Sequence, residues 1–147
     1  MQRHSTAILF AAALLGLSAT ACTQAEAGSA KPSAAATELE ADGLPAGPYA
    51  DRDPALAKQL VEGGALVLDV RTPEEFAAGH VDGAVNISHT DIGAQLEQIK
   101  QLQGGDTHKP IVLYCRSGHR AGIAKKELAA AGFDRVTNLG GMKDWPK

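Results

Sequence analysis

The sequence predicts an α/β domain built on a parallel sheet with helices on both faces. Three observations carry that expectation. Short runs of strand composition at 65–70, 84–87, 111–114 and 135–139 alternate with stretches of helical spacing. The runs Ala65-Leu66-Val67-Leu68-Asp69-Val70 and Ile111-Val112-Leu113-Tyr114 offer apolar side chains to both faces, as a strand buried between two helical layers requires. Strands separated by helices pair in parallel through crossover connections, which cover the sheet on both sides.

Each element has its own signal. Asp53-Pro54 opens a helix, with Asp as N-cap and Pro at the first helical position. Leu56, Leu60 and Val61 give that helix an apolar stripe, and Gly63-Gly64 stop it. Thr72-Pro73-Glu74-Glu75-Phe76 starts a second, short helix, with Thr as N-cap and acids in the first turn. Gly79-His80-Val81-Asp82-Gly83 is turn-rich and leads into the short strand at 84–87. Ile92, Leu96 and Ile99 recur at four and three residues, predicting one amphipathic helix from Asp91 to about Leu102. A further helix follows Cys115, with Ala121, Ala124, Leu128 and Ala131 expected on its buried side and Gly132-Phe133 at its end. Gly140-Gly141-Met142-Lys143-Asp144-Trp145 reads as a loop entering a last turn.

The chain of 147 residues has room for one such domain. Its net charge of −3 divides unevenly: residues 49–147 hold 12 Lys and Arg against 13 Asp and Glu, so the domain is close to neutral. Nothing in that balance resembles a nucleic-acid footprint, and no nucleic-acid partner is expected. Residues 1–22 read as a signal peptide: Arg3 and His4 precede an apolar run of 11 residues, 7–17, which is too short to span a bilayer. Ala19-Thr20-Ala21 fits a small-residue cleavage site, and Cys22 follows at once. A cysteine so placed resembles the lipobox of bacterial lipoproteins, although Ala19 stands where such boxes usually carry Leu. Lipidation of Cys22, and with it a membrane-anchored place in the periplasm, is the expectation. Residues 23–48 are rich in Ala, Gly, Ser and Pro without apolar periodicity, and read as a flexible linker reaching roughly 30 Å. The folded domain is expected over 49–147.

The chemistry is expected in Cys115-Arg116-Ser117-Gly118-His119-Arg120. The thiol stands at the carboxyl end of a strand, where ligands collect in open α/β sheets. It also stands before a helix, whose first N–H groups are unsatisfied and carry partial positive charge. Arg116 and Arg120 stay charged at any working pH, so thiolate is favoured over thiol, and the thiolate is the nucleophile. Gly118 lets the loop curl so that successive N–H groups point inward. An inert core cysteine has no need of two arginines within five residues. Cys22 and Cys115 are the only cysteines, so lipidation of Cys22 leaves Cys115 a solitary thiol in an oxidising compartment. His4, His89 and His108 are not at metal-ligand spacing with a cysteine, and no metal or cofactor is expected.

Four pieces in order carry a family resemblance: Leu68-Asp69-Val70-Arg71 with Pro73-Glu74-Glu75-Phe76, the stretch from Gly79-His80-Val81 to Asn86-Ile87, the cysteine loop, and Gly140-Gly141-Met142 with Trp145. Together they resemble a single-domain rhodanese, and with the export signal the small periplasmic members of that family. The resemblance implies a sheet of about five strands and loop N–H groups, from Arg116 to Arg120, surrounding the sulfur. It implies a sulfurtransferase: Cys115 takes the outer sulfur of thiosulfate as a persulfide and passes it to cyanide or a thiol. Arg116 matches the cationic position of thiosulfate-using members, while Ser117, Gly118, His119 and Arg120 complete the substrate-binding loop. Asp69 and Arg71 are supporting residues. Asp69 is expected to brace the loop, with Arg120 its possible partner. His119 is expected at the surface, His80 to pack or cap its turn, and Trp145 to pack near the site rim.

Three other readings compete. In tyrosine phosphatases five residues separate the cysteine and arginine of the anion loop, and rhodanese-like phosphatases and arsenate reductases also have a longer loop. Four residues separate Cys115 from Arg120, a size suited to one sulfur atom on the cysteine. A binding module without turnover commonly lacks the cysteine that this chain keeps. A persulfide carrier serving one partner shares every feature of the enzyme.

Overall fold

The computed structural model describes residues 38–146. The signal peptide, Cys22 and most of the expected linker lie outside the described residues. The elements are α1 (Pro54–Glu62), β1 (Leu66–Asp69), α2 (Pro73–Ala77), β2 (Val85–Asn86), α3 (Leu96–Leu102), β3 (Ile111–Cys115), α4 (His119–Ala130) and β4 (Val136–Gly141). Short 3₁₀ turns at Gly93–Gln95 and Met142–Asp144 precede α3 and follow β4.

The strands form one sheet in the order β2-β1-β3-β4, all parallel. Among the described residues there are four strands, not the five or so that the resemblance implies. The count matches the four apolar runs in the sequence. β3 lies inside the sheet and is buried at all five positions. Its side chains alternate between two cores, following the two-residue period of a strand. Ile111, Leu113 and Cys115 join Leu68, Val70, Ile99, Leu128 and Phe133 on the α3–α4 side. Val112 and Tyr114 join Leu60, Val67 and Leu139 on the α1 side.

The helix starts behave as their sequences dictate. Asp53 caps α1 by accepting from the Ala55 and Leu56 N–H groups at 3.0 Å each. Thr72 and Glu75 form a capping box on α2. The single helix expected from Asp91 is broken, because Gly93 weakens helix propensity and Gln95 takes φ −111° and ψ 16°, outside the helical region. Ile92 and Ile99 are buried nonetheless, so the apolar spacing located the right face. Ala131, expected on the buried side of α4, is exposed because it is the C-cap, past the last helical turn.

β4 runs further than its apolar stretch, through Gly140 and Gly141. A register shift sets Leu113 opposite Asn138 but Tyr114 opposite Gly140. Such an irregularity re-aims side chains beside a site. Gly141 has to lack a side chain, since a Cβ there would stand 2.6 Å from the Arg116 carbonyl oxygen.

The expected linker does not hold over its C-terminal part. Leu44 and Tyr49 are 6% exposed and belong to the core on the α1 side. Arg135, immediately before β4, reaches back to this segment. It donates to Asp42 at 2.7 Å, to the Pro45 carbonyl at 3.0 Å and to the Tyr49 hydroxyl at 2.9 Å. Residues 42–52 thus form a strap bound to the domain, anchored by an arginine that composition does not reveal.

Candidate active site

β3 delivers Cys115 to the carboxyl edge of the sheet, where the chain turns sharply into α4. The turn depends on Gly118, the N-cap of α4, which has φ 92° in the left-handed region. A Cβ on Gly118 would also lie 3.1 Å from the Gly140 Cα, so the loop packs closely on β4. Cys115 is 1% exposed, and its Sγ accepts the Gly118 N–H at 3.0 Å.

Burial pushes the Cys115 thiol up, but the N–H groups of Ala121, Ser117, Gly118 and Arg120 together outweigh it and hold the thiol below its ordinary value. Of these donors Ser117, Gly118 and Arg120 fall within the stretch that the resemblance implies, and Ala121 lies one residue beyond it. The arrangement stabilises negative charge on a sulfur atom largely withdrawn from water.

The cations divide into two kinds. Arg116 is exposed, and its side chain has no hydrogen bond or ion pair among the described residues, so its charge faces solvent. Arg120 is half-buried and donates through Nη2 to Glu75 Oε1 at 2.9 Å and through Nη1 to Glu75 Oε2. Glu75, not Asp69, is therefore the partner that orients Arg120. Asp69 is engaged elsewhere: its carboxylate takes the Arg71 backbone N–H at 2.9 Å and the Arg71 guanidinium from two sides. Arg71 also donates to the Gly79 carbonyl at 2.7 Å and lies 5.6 Å from the Tyr114 ring centroid. This buried pair braces the turn after β1 against the central strand.

Ser117 and His119 are exposed, His119 as the first residue of α4. His80 stacks on Phe76, with centroids 3.8 Å apart. Trp145 packs edge-on against Tyr114 at 5.8 Å. Three site residues escape a reading of the sequence. Glu75 shows only as a first-turn acid, although an N3 acid aimed back across the cap is a detectable signal. Asn138 sits in an apolar strand, yet its Nδ2 donates to the Gly118 carbonyl at 3.0 Å and its Oδ1 accepts the Gly140 N–H at 3.0 Å. Arg52, in the strap, donates to the Ser117 carbonyl at 3.1 Å.

Comparison with known proteins agrees with this geometry. Residues 53–147 match the family described as the Rhodanese-like domain. The chain is 38% identical over 101 residues to thiosulfate sulfurtransferase 16, chloroplastic, of Arabidopsis thaliana, covering 63% of this chain and 82% of that protein. It is 34% identical over 77 residues to the thiosulfate sulfurtransferase PspE of Escherichia coli K12, covering 52% of this chain and 70% of that one. Among solved structures it resembles a rhodanese with anions from E. coli, at 32% identity and a TM-score of 0.50, over 55% of this chain and 91% of the other. With its parallel sheet, its cysteine loop and a match over most of its length, the chain belongs to the rhodanese-like domain family.

Proposed function

We propose that the protein is a sulfurtransferase that moves a sulfane sulfur from thiosulfate, through a persulfide on Cys115, to a thiophilic acceptor. The observation that carries this reading is the buried Cys115 Sγ with the Gly118 N–H aimed at it, inside a loop closed by Arg120. In the first step the Cys115 thiolate attacks the outer sulfur of thiosulfate. The S–S bond to the enzyme forms as the bond to the sulfonate sulfur breaks, and sulfite leaves with the electron pair. In the second step cyanide or a thiolate attacks the outer sulfur and regenerates the Cys115 thiolate. Two successive displacements give ping-pong kinetics. The names of the relatives support thiosulfate as donor, as does the free guanidinium of Arg116.

Thiocyanate formation from thiosulfate and cyanide tests this reading. Parallel lines in double-reciprocal plots, with activity abolished in Cys115→Ser, are the expected result. Aryl phosphate hydrolysis lost with the same substitution would point to a phosphatase instead. Export to the periplasm and anchoring through a lipidated Cys22 complete the proposal. They would place the thiol outside the cytoplasm, with the segment before the strap as tether.

A further inference from the structure

Arg52 lies just before the family match, which begins at residue 53. It is the one non-glycine residue with positive φ among the described residues, at 60°. An L side chain is strained there, and glycine or asparagine would sit with less cost. Strain of this kind persists where the surroundings fix it, and it directs attention to what the side chain does. The Arg52 backbone N–H donates to the Asn138 carbonyl at 2.9 Å, which sets the guanidinium beside the cysteine loop. Its Nη2 donates to the Ser117 carbonyl at 3.1 Å, in the space left by the missing side chain of Gly118.

The Ser117 carbonyl and the Gly118 N–H belong to one peptide unit, and in a trans peptide the two point in opposite directions. The outer end is held by Arg52 and the inner end meets Cys115 Sγ at 3.0 Å. The next peptide is tied in the same sense: the Gly118 carbonyl accepts from Asn138 Nδ2 at 3.0 Å and from the Gly122 N–H at 2.9 Å. Asp51 accepts the Asn138 N–H at 3.1 Å, so strap, β4 and loop share one network. We propose that Arg52 is a positioning residue for Cys115, fixing the Ser117–Gly118 peptide from outside so that its N–H stays aimed at the sulfur. A charged donor on the carbonyl also polarises the peptide and makes its N–H the stronger donor.

The inference rests on Cys115 as the nucleophile. It is tested without a sulfur donor, by the pH dependence of iodoacetamide alkylation in the full chain, read on the peptide that carries Cys115. The other charged or titratable groups about the loop are Arg120 with Glu75, Arg71 with Asp69, Asp51 with Lys125, Asp144 beneath Gly141, and the exposed Arg116 and His119. All are kept. Arg52→Asn suits the left-handed backbone and removes the charge. It is expected to raise the alkylation midpoint by about half a pH unit, roughly a threefold loss of thiolate below that midpoint, with no fall in thermal midpoint. Arg52→Lys, which keeps a cation, is expected to restore at least half of that shift. An unchanged midpoint in Arg52→Asn, a shift only in step with a lower thermal midpoint, or a lysine variant no different from asparagine would overturn the inference. A wild type that alkylates as expected but takes no sulfur from any donor would overturn the sulfurtransferase reading and leave this one standing.

Discussion

At the scale of single residues, Cys115 is set between burial, which disfavours its charge, and the peptide N–H groups of its loop, which favour it more. Arg116 stands outside that balance. Its guanidinium is unpaired among the described residues, so its expected work is to draw a doubly charged donor into the mouth. Arg116→Gly should raise the KM for thiosulfate about tenfold, corresponding to about 1.4 kcal/mol, and change kcat less. Steady-state kinetics with cyanide held constant check this. Glu75 is held well below its ordinary value of 4.5, at about 2, chiefly by the Arg120 guanidinium. Because its pKa is lowered on folding, the unfolded chain binds the extra proton between these values. The Glu75–Arg120 stabilisation is therefore complete above about pH 4.5 and is lost as pH falls towards 2. Glu75→Gln should cost about 1 kcal/mol at neutral pH, because the pair is part-buried, and should flatten the acid limb in that window. Denaturant titrations at several pH values read both effects.

At the scale of elements, legibility follows how local each cause is. The starts of α1 and α2 were readable because Asp53-Pro54 and Thr72-Pro73 act on the N–H groups next to them. The strands were readable because their two-sided burial demands apolar runs. Cys115 stood out because a thiol, two arginines and a glycine share one short loop. What stayed hidden depends on pairing across the fold. The choice of Glu75 over Asp69 for Arg120 is made by where α2 sits against α4, and no spacing encodes it. The extension of β4 through two glycines depends on the shifted register opposite Tyr114. The role of Asn138 follows from that shift, which sets its amide against the Gly118 carbonyl. Composition made residues 42–48 look like a linker, and only the fold shows otherwise, through the buried Leu44 and the buried Arg135 across from it. Arg135→Met should cost about 1–3 kcal/mol, because it leaves the buried Tyr49 hydroxyl and Pro45 carbonyl without their donor, while the exposed Asp42 is resolvated. The loss should appear in the denaturation midpoint, with kcat little changed, since Arg135 lies at the opposite end of β4 from the cysteine loop.

At the scale of the whole molecule, the strap extends the domain before the family match and brings Arg52 to the cysteine loop. Among the described residues no helix is long and apolar enough to cross a membrane. The proposed anchoring rests on Cys22, which lies outside the described residues. Labelled palmitate should appear on the full-length protein in a bacterial host and vanish in Cys22→Ser. Secretion without label would leave the domain free in the envelope. The central claim concerns Cys115 itself, and intact-protein mass after incubation with a panel of sulfur donors tests it most directly. Thiosulfate should add one sulfur, about 32 Da, on Cys115, and cyanide or a dithiol should then remove it as the acceptor step requires. No gain in mass with any donor would contradict the account and leave a binding module, and a gain that no acceptor discharges would leave a carrier in place of an enzyme.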